Sequence, residues 1–358
     1  MSLRSKTANT RMNKIKISTH SSFQPLKSVL LGQTFDLDYF HWIKDPKIKD
    51  PLTKILEETH EDLANMKNTL QKNGIQVVQP DPIKANAEEQ FTNGEAFHFP
   101  PLQPRDVFLT LGNKLYSNTT QNFYDYIFDY VDKSDYINLF EETYKDGKTF
   151  VPAEYNSMAK GLISGAFCYK IGKRIVIPKL VDGLMRDLVK QLWTSQGYEV
   201  VETEEVGHTD GVLSVLKPGA MISLHGIQNY KQTFPGWDVL YLDDTPLDPP
   251  GWDLLKYKPT RWWIPGEETN EQLSQYVNTW FSKWTGNISE TLFDLNMLSL
   301  SEEAIMCTHE SKRVFDFLKK HKVEPIVTPL RHRYFWDGGL HCITLDLVRD
   351  GNREDYFN

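Results

Sequence analysis

Near the C-terminus the chain reads Asp337-Gly338-Gly339-Leu340-His341-Cys342 and runs straight into Ile343-Thr344-Leu345-Asp346-Leu347-Val348. A glycine pair lets the backbone turn tightly and pass close to a ligand, and the residues after the cysteine alternate as a strand does. A thiol at the mouth of such a strand is either a nucleophile or a small buried hydrophobe, and Cys342 alone does not decide between them. Two further stretches bear on the choice. In Gly207-His208-Thr209-Asp210-Gly211 an extended backbone would project the imidazole of His208 and the carboxylate of Asp210 from one face. Pro104-Arg105-Asp106 carries another carboxylate at the corresponding place before its own hairpin. Taken singly, Asp106 and Asp210 could be turn formers and His208 a loop histidine. Together, four such groups at the same relative place in different units suggest one site. A zinc centre built from Cys342, His341 and His208 lacks the usual paired ligand spacing and ranks lower, so no metal is expected.

The elements that would position these groups recur along the chain: strand, tight polar turn, strand, helix, strand. The first unit runs from Pro25 to Gln33, through a helix over Pro51 to Asn73 stopped by Gly74, to a strand at Ile75 to Val78. Later hairpins turn at Gly112-Asn113, Gly172-Lys173, Lys217-Pro218-Gly219 and Ser301-Glu302-Glu303. Helices are expected over roughly Leu180 to Gln196 and Glu310 to His321. Five such units fit poorly into one doubly wound sheet and suit an α/β ring of similar modules around a central channel. The heads of the units, where the four groups lie, would meet at one mouth of that channel. Between the fourth and fifth units, residues 227–286 are rich in Pro and Trp (Pro249, Pro250, Trp252, Trp262, Trp263, Pro265) and read either as a cap over the ring or as ordinary packing. Residues 1–22 are basic and polar and read as a flexible tail, leaving 23–358 as a single domain.

Composition removes several classes. The 358 residues carry a net charge of −8, which argues against nucleic acid as a partner because phosphate binding needs a basic face. No apolar run is long enough to cross a bilayer, and the N-terminus has no secretory pattern. Three scattered cysteines, Cys168, Cys307 and Cys342, do not make a disulfide framework, so a cytoplasmic location is expected. There is no Gly-rich phosphate loop, and no cofactor is expected.

Three blocks give the chain a family resemblance: Pro104-Arg105-Asp106 running to Leu111-Gly112-Asn113; His208-Thr209-Asp210 followed by Pro218-Gly219; and Leu295-Asn296-Met297-Leu298 leading to Gly338-Gly339-Leu340-His341-Cys342. In order and spacing, over roughly Pro25 to Val348, the chain resembles the guanidino-group modifying enzymes and looks most like the glycine (arginine) amidinotransferases. The resemblance implies a five-bladed α/β propeller, the pentein fold, with pseudo-fivefold ββαβ-type repeats. It implies covalent transfer of an amidino group from L-arginine or a similar guanidino donor to a primary amine. Cys342 would be the nucleophile and His208 the proton carrier, while Asp106 and Asp210 grip the planar cation. Arg331 would hold a substrate carboxylate, with Ser289 and Asn296 as weaker binding candidates. A hydrolase working from the same site, and a binding protein with little catalysis, are the alternatives. A homodimer is one assembly the resemblance allows.

One departure stands out. Where the family carries an acid-small-small-acid block whose carboxylate orients the histidine, this chain reads Ser164-Gly165-Ala166-Phe167. A serine at 164 supplies no charge to an imidazolium. Glu154 or Glu204 could substitute from elsewhere, and Asp337 replaces a customary third glycine.

Overall fold

The computed structural model describes residues 14–84, 99–117, 124–138, 163–179, 183–204, 207–224, 226–242, 266–267, 269–281 and 295–357. Within them lie five three-stranded sheets of one design: an antiparallel pair, then a third strand parallel to the second. The first module has β1 (Leu26–Leu31), α1 (Pro46–Lys72) and β2 (Gln76–Val78). The second has β3 (Phe108–Leu111), β4 (Lys114–Ser117) and β5 (Tyr136–Asn138). The third has β6 (Tyr169–Ile171), β7 (Arg174–Ile177), α2 (Gly183–Ser195) and β8 (Glu199–Glu202). The fourth has β9 (Leu213–Lys217), β10 (Ala220–Ser223) and β11 (Asp238–Tyr241), and is followed by α3 (Glu271–Trp280). The fifth has β12 (Leu298–Ser301), β13 (Ala304–Cys307), α4 (Lys312–Lys320) and β14 (Glu324–Val327). The last strand, β15 (Thr344–Arg349), returns to pair antiparallel with β1 and completes the first sheet.

Helix α1 begins earlier than the periodicity suggests. Asp45 caps it, its carboxylate accepting from the Lys47 N–H at 2.9 Å, with Pro46 in the first turn. Pro51, which looked like a helix start, therefore lies inside. It has no N–H to offer the Lys47 carbonyl, and the side chain of Asn270 donates to that carbonyl instead, at 2.8 Å. Asn270 also caps α3, accepting from the Leu273 N–H at 3.0 Å. One asparagine thus repairs the proline gap and starts the helix that packs on it. Leu52, Ile55, Leu56, Leu63 and Met66 of α1 share a core with Leu273, Val277 and Phe281. Gly74, at φ +76°, ends α1 in the left-handed region that favours glycine.

Two expected segments change. Residues 14–22 are not a loose tail: Ile17, Thr19 and Ser21 are buried. Ser18 N–H donates to Leu347 O, Thr19 N–H to Gly112 O and Ser22 N–H to Lys170 O, so this strap ties three sheets together. What reads in the sequence as a flexible tail is, over residues 14–22, a chain whose backbone groups bond to the backbone of the sheets. In its described parts the Pro/Trp-rich stretch packs into the modules. Its start, with Ile227 and Phe234 buried, supplies β11, and its α3 belongs to the core of the first module. Trp252, Trp262 and Trp263 lie outside the described residues. Among the described residues no helix is long and apolar enough to cross a membrane.

The first strands of the sheets are linked in a circuit of hydrogen bonds. Arg349 on β15 donates to Ser299 O on β12 (2.9 Å), and the Ser299 hydroxyl donates to Val215 O on β9 (3.3 Å). Val215 N–H donates to the Tyr169 hydroxyl on β6 (3.0 Å), and Lys170 on β6 donates to Thr110 O on β3 (2.9 Å). Arg105, at the head of β3, closes the circuit on Asp346 of β15 at 2.7 Å.

Candidate active site

The residues singled out for chemistry sit on the segments that lead into those first strands. Asp106 ends a short turn (Pro104–Asp106) before β3. Ser164 to Phe167 precede β6, and Asn296 precedes β12. His208 stands just before the short turn Thr209–Gly211 that contains Asp210 and leads to β9. His341 and Cys342 lead into β15. Neighbouring leads are stitched to one another. Ala166 N–H donates to Arg105 O (3.3 Å), Asp210 N–H to Ala166 O (3.2 Å), and the Thr209 hydroxyl to Phe167 O (2.8 Å). Arg105 Nε donates to His341 O at 2.7 Å, joining the Asp106 turn to the cysteine segment. Gly339 permits the last join, because a Cβ there would stand 2.7 Å from Asn296.

Cys342, His208 and Asp106 come together, one ligand-type atom from each lying within 4.8 Å of the others. Three such donors could also close on a divalent metal ion, which would then occupy the thiol. Asp210 Oδ2 is 3.6 Å from Cys342 Sγ. Asn296 acts on the cysteine: its amide N–H donates to Sγ at 3.0 Å, and its Oδ1 accepts from the Cys342 N–H (3.0 Å) and His341 N–H (3.1 Å). Asp106 Oδ1 and Asp210 Oδ1 are buried with no hydrogen-bond partner among the described residues. A buried carboxylate oxygen without a donor is unstable unless a ligand supplies one.

Electrostatics follow from burial. Burial, then the carboxylates of Asp210 and Asp106, push the Cys342 thiol well above its ordinary value, so these surroundings by themselves keep it a thiol. Burial also pushes Asp106 up to about 7, helped by Asp210 and Asp337 and opposed by His208, whose Nδ1 is 4.0 Å away. For Asp210 burial works against the charge, but the hydrogen bond from His341, with Arg105 nearby and His208 when protonated, outweighs it, and its value is lowered.

Sequence reasoning missed the support beneath the site. His341 is 3% exposed, and its Nδ1 lies 2.7 Å from Asp210 Oδ2. Below it, the fully buried Asp346 takes Arg105 (2.7 Å), Arg349 (2.8 Å) and Lys170 (3.5 Å). Those cations overcome burial and hold the Asp346 carboxyl well below its usual range. Burial lowers Lys170 to about 7 against the pull of Asp346. The only sequence signals were Arg105 beside Asp106 and a charged residue in the apolar run at Asp346.

The remaining candidates lie elsewhere or act differently. Arg331 bonds Asp62 at 2.9 Å and Glu61 at 2.7 Å on α1, with Glu58 at 3.5 Å, so its guanidinium is committed to that helix. Ser289 and Glu154 lie outside the described residues, and Glu204 pairs with Lys179 at 3.6 Å. The buried Ser164 hydroxyl accepts from the Phe167 N–H at 3.4 Å, and it is the Phe167 ring that meets His208, edge to face at 4.8 Å. Asp337 adopts φ +49°, ψ +48°, a left-handed conformation that aspartate tolerates better than most residues.

No family model matches the sequence. The chain is 23% identical over 353 residues to the mitochondrial glycine amidinotransferase of Gallus gallus, spanning 87% of this chain and 73% of that one. Among solved structures it superposes on an amidinotransferase of the saxitoxin biosynthetic pathway from Microseira wollei, with a TM-score of 0.59 at 18% identity, covering 95% and 99% of the two chains. The inosamine-phosphate amidinotransferase of Streptomyces griseus gives a TM-score of 0.59 at 16% identity, covering 96% and 100%.

Proposed function

We propose, from its kinship with the guanidino-group modifying enzymes and with amidinotransferases in particular, that this chain moves an amidino group from L-arginine or a similar donor to a primary amine. In this reading the five modules stand around a pseudo-fivefold axis as a pentein propeller, with the chemistry at one mouth. The observation that carries the proposal is the pair of orphaned carboxylate oxygens on Asp106 and Asp210, two side chains that stand beside a thiol with an imidazole in reach. A planar cation offers N–H donors to both, and its charge cancels the repulsion that keeps Cys342 protonated.

With the cation bound, the thiol proton passes to His208 and Sγ attacks the guanidino carbon. The C–N bond to the departing amine breaks as His208 returns the proton to that nitrogen, leaving an amidino group on sulfur. An incoming neutral amine then attacks the same carbon and loses a proton to His208. The C–S bond breaks, and the proton returns to Cys342. Asn296 steadies sulfur through each ionised stage by its N–H donor. Asp106 and Asp210 hold the cationic carbon in place throughout.

The test is incubation with L-arginine, with and without a panel of primary amines. Ornithine formed only when an amine is added, together with the amidinated amine, is expected. Citrulline and ammonia, or ornithine and urea, formed without an amine would replace transfer by hydrolysis. Arginine bound without any product would leave a binding protein.

A further inference from the structure

His341 precedes Cys342, and its imidazole is buried in the protein. It lies against the ring of Tyr169, with centroids 5.7 Å apart and planes at 25°. Its Nδ1 is 2.7 Å from Asp210 Oδ2, while Nε2 is buried with no partner among the described residues. Its backbone is fixed on both sides, the N–H by Asn296 Oδ1 and the carbonyl by Arg105 Nε. Burial, with Arg105 nearby, pushes the imidazole down to about 4, so the ring is neutral at ordinary pH and carries one hydrogen. Facing a carboxylate at 2.7 Å, that hydrogen belongs on Nδ1, because the other tautomer would set two lone pairs against each other.

Asp210 is then tethered at one oxygen and open at the other. Oδ2 accepts from His341 and lies 3.6 Å from Cys342 Sγ, while Oδ1 is the orphan. We infer that His341 is a positioning residue: a neutral donor that pins Oδ2 of Asp210 so that Oδ1 is presented, ionised, to the guanidinium of the donor substrate. The inference rests on the guanidino reading of the site. It gives the two histidines separate duties, since His208 is the half-exposed one beside Cys342 and Asp106, while the buried His341 is engaged with Asp210.

Geometry supplies discriminating variants. The amide nitrogen of Asn falls near the position of Nδ1 and that of Gln near Nε2, so His341→Asn can keep the hydrogen bond where His341→Gln cannot. The first measurement is the nitrogen-15 spectrum of histidine-labelled protein, which reports tautomer and charge without any substrate. A neutral His341 protonated on Nδ1 from about pH 6 to 9 is expected; a neutral Nε2–H form, or an imidazolium at about pH 7, overturns the inference. The second is the equilibrium affinity for L-arginine in a Cys342→Ala parent that cannot turn over. Adding His341→Gln or His341→Ala should weaken binding about 10- to 100-fold, the worth of a hydrogen bond to a buried charge. His341→Asn should recover most of that loss. Equal losses in Asn and Gln variants of matched thermal stability, or no loss in either, overturn it. A parent that binds no arginine sinks the guanidino reading and the purpose assigned to the bond, while the nitrogen spectrum still decides whether the bond exists.

Discussion

The molecule buries carboxylates in two neighbouring places and treats them in opposite ways. Asp346 is surrounded by Arg105, Arg349 and Lys170 and is held well below the carboxylate range. Asp106 and Asp210, one segment above, each keep a buried oxygen without a donor among the described residues, and Asp106 is pushed up to about 7. The first centre is complete and holds strands together. The second is incomplete in a way that a cation would complete. A buried charge with all its partners belongs to the structure, and one left short beside reactive side chains is a candidate for a ligand.

Four experiments would break or sharpen that contrast. Cys342→Ala should lower turnover at least about a thousandfold while leaving the denaturation curve in place, if Cys342 is the nucleophile as proposed. Residual turnover near the parent rate would remove it from that role. Asp346→Asn should behave the other way and destabilise the fold by about 3–5 kcal/mol in urea denaturation, since the buried guanidinium groups of Arg105 and Arg349 lose their counter-charge and Lys170 its partner. A stable Asp346→Asn protein would erase the distinction between the two centres. Asp210→Asn should shift stability by less than about 1 kcal/mol yet weaken arginine binding about 10- to 100-fold in the Cys342→Ala parent, measured by calorimetry. Ser164→Asp should raise turnover by no more than about two- to fivefold, the worth of a half-exposed ion pair, because Phe167 rather than Ser164 meets the imidazole.

pH separates the centres as well. The folded value of Asp106, about 7, lies above its unfolded one, so its contribution to stability is complete below the unfolded value and is lost as pH rises through about 7. Arginine affinity should rise over the same interval as Asp106 ionises, and Asp106→Asn should flatten that rise. Asp346 has the opposite sign: its contribution is present above the unfolded value and disappears as the pH falls through its depressed folded value.

Hairpins were legible because their signals are local. Turn glycines and alternating apolar residues marked β3 with β4 and β6 with β7 within a few residues. The pairing of β15 with β1 was not legible, since nothing near Leu26 announces a partner at the far end of the chain. The site divides along the same line. Cys342, His208, Asp106 and Asp210 stood out as reactive types beside turn signals, and the structure brings them together. For Arg331 the sequence did not show that three carboxylates of α1, Glu58, Glu61 and Asp62, engage its guanidinium. His341 was weighed only as a zinc ligand and as part of a motif, although it contacts a carboxylate 131 residues away.

What the sequence determined by itself was the set of small modules and the chemical types placed at their heads, because backbone preference and side-chain reactivity belong to a residue and its near neighbours. The tertiary structure alone decided which charges were matched and which were left short. Ionisation depends on burial and on partners far along the chain, so a carboxylate becomes a strut at Asp346 and an open hand at Asp210 only once the modules have closed around them.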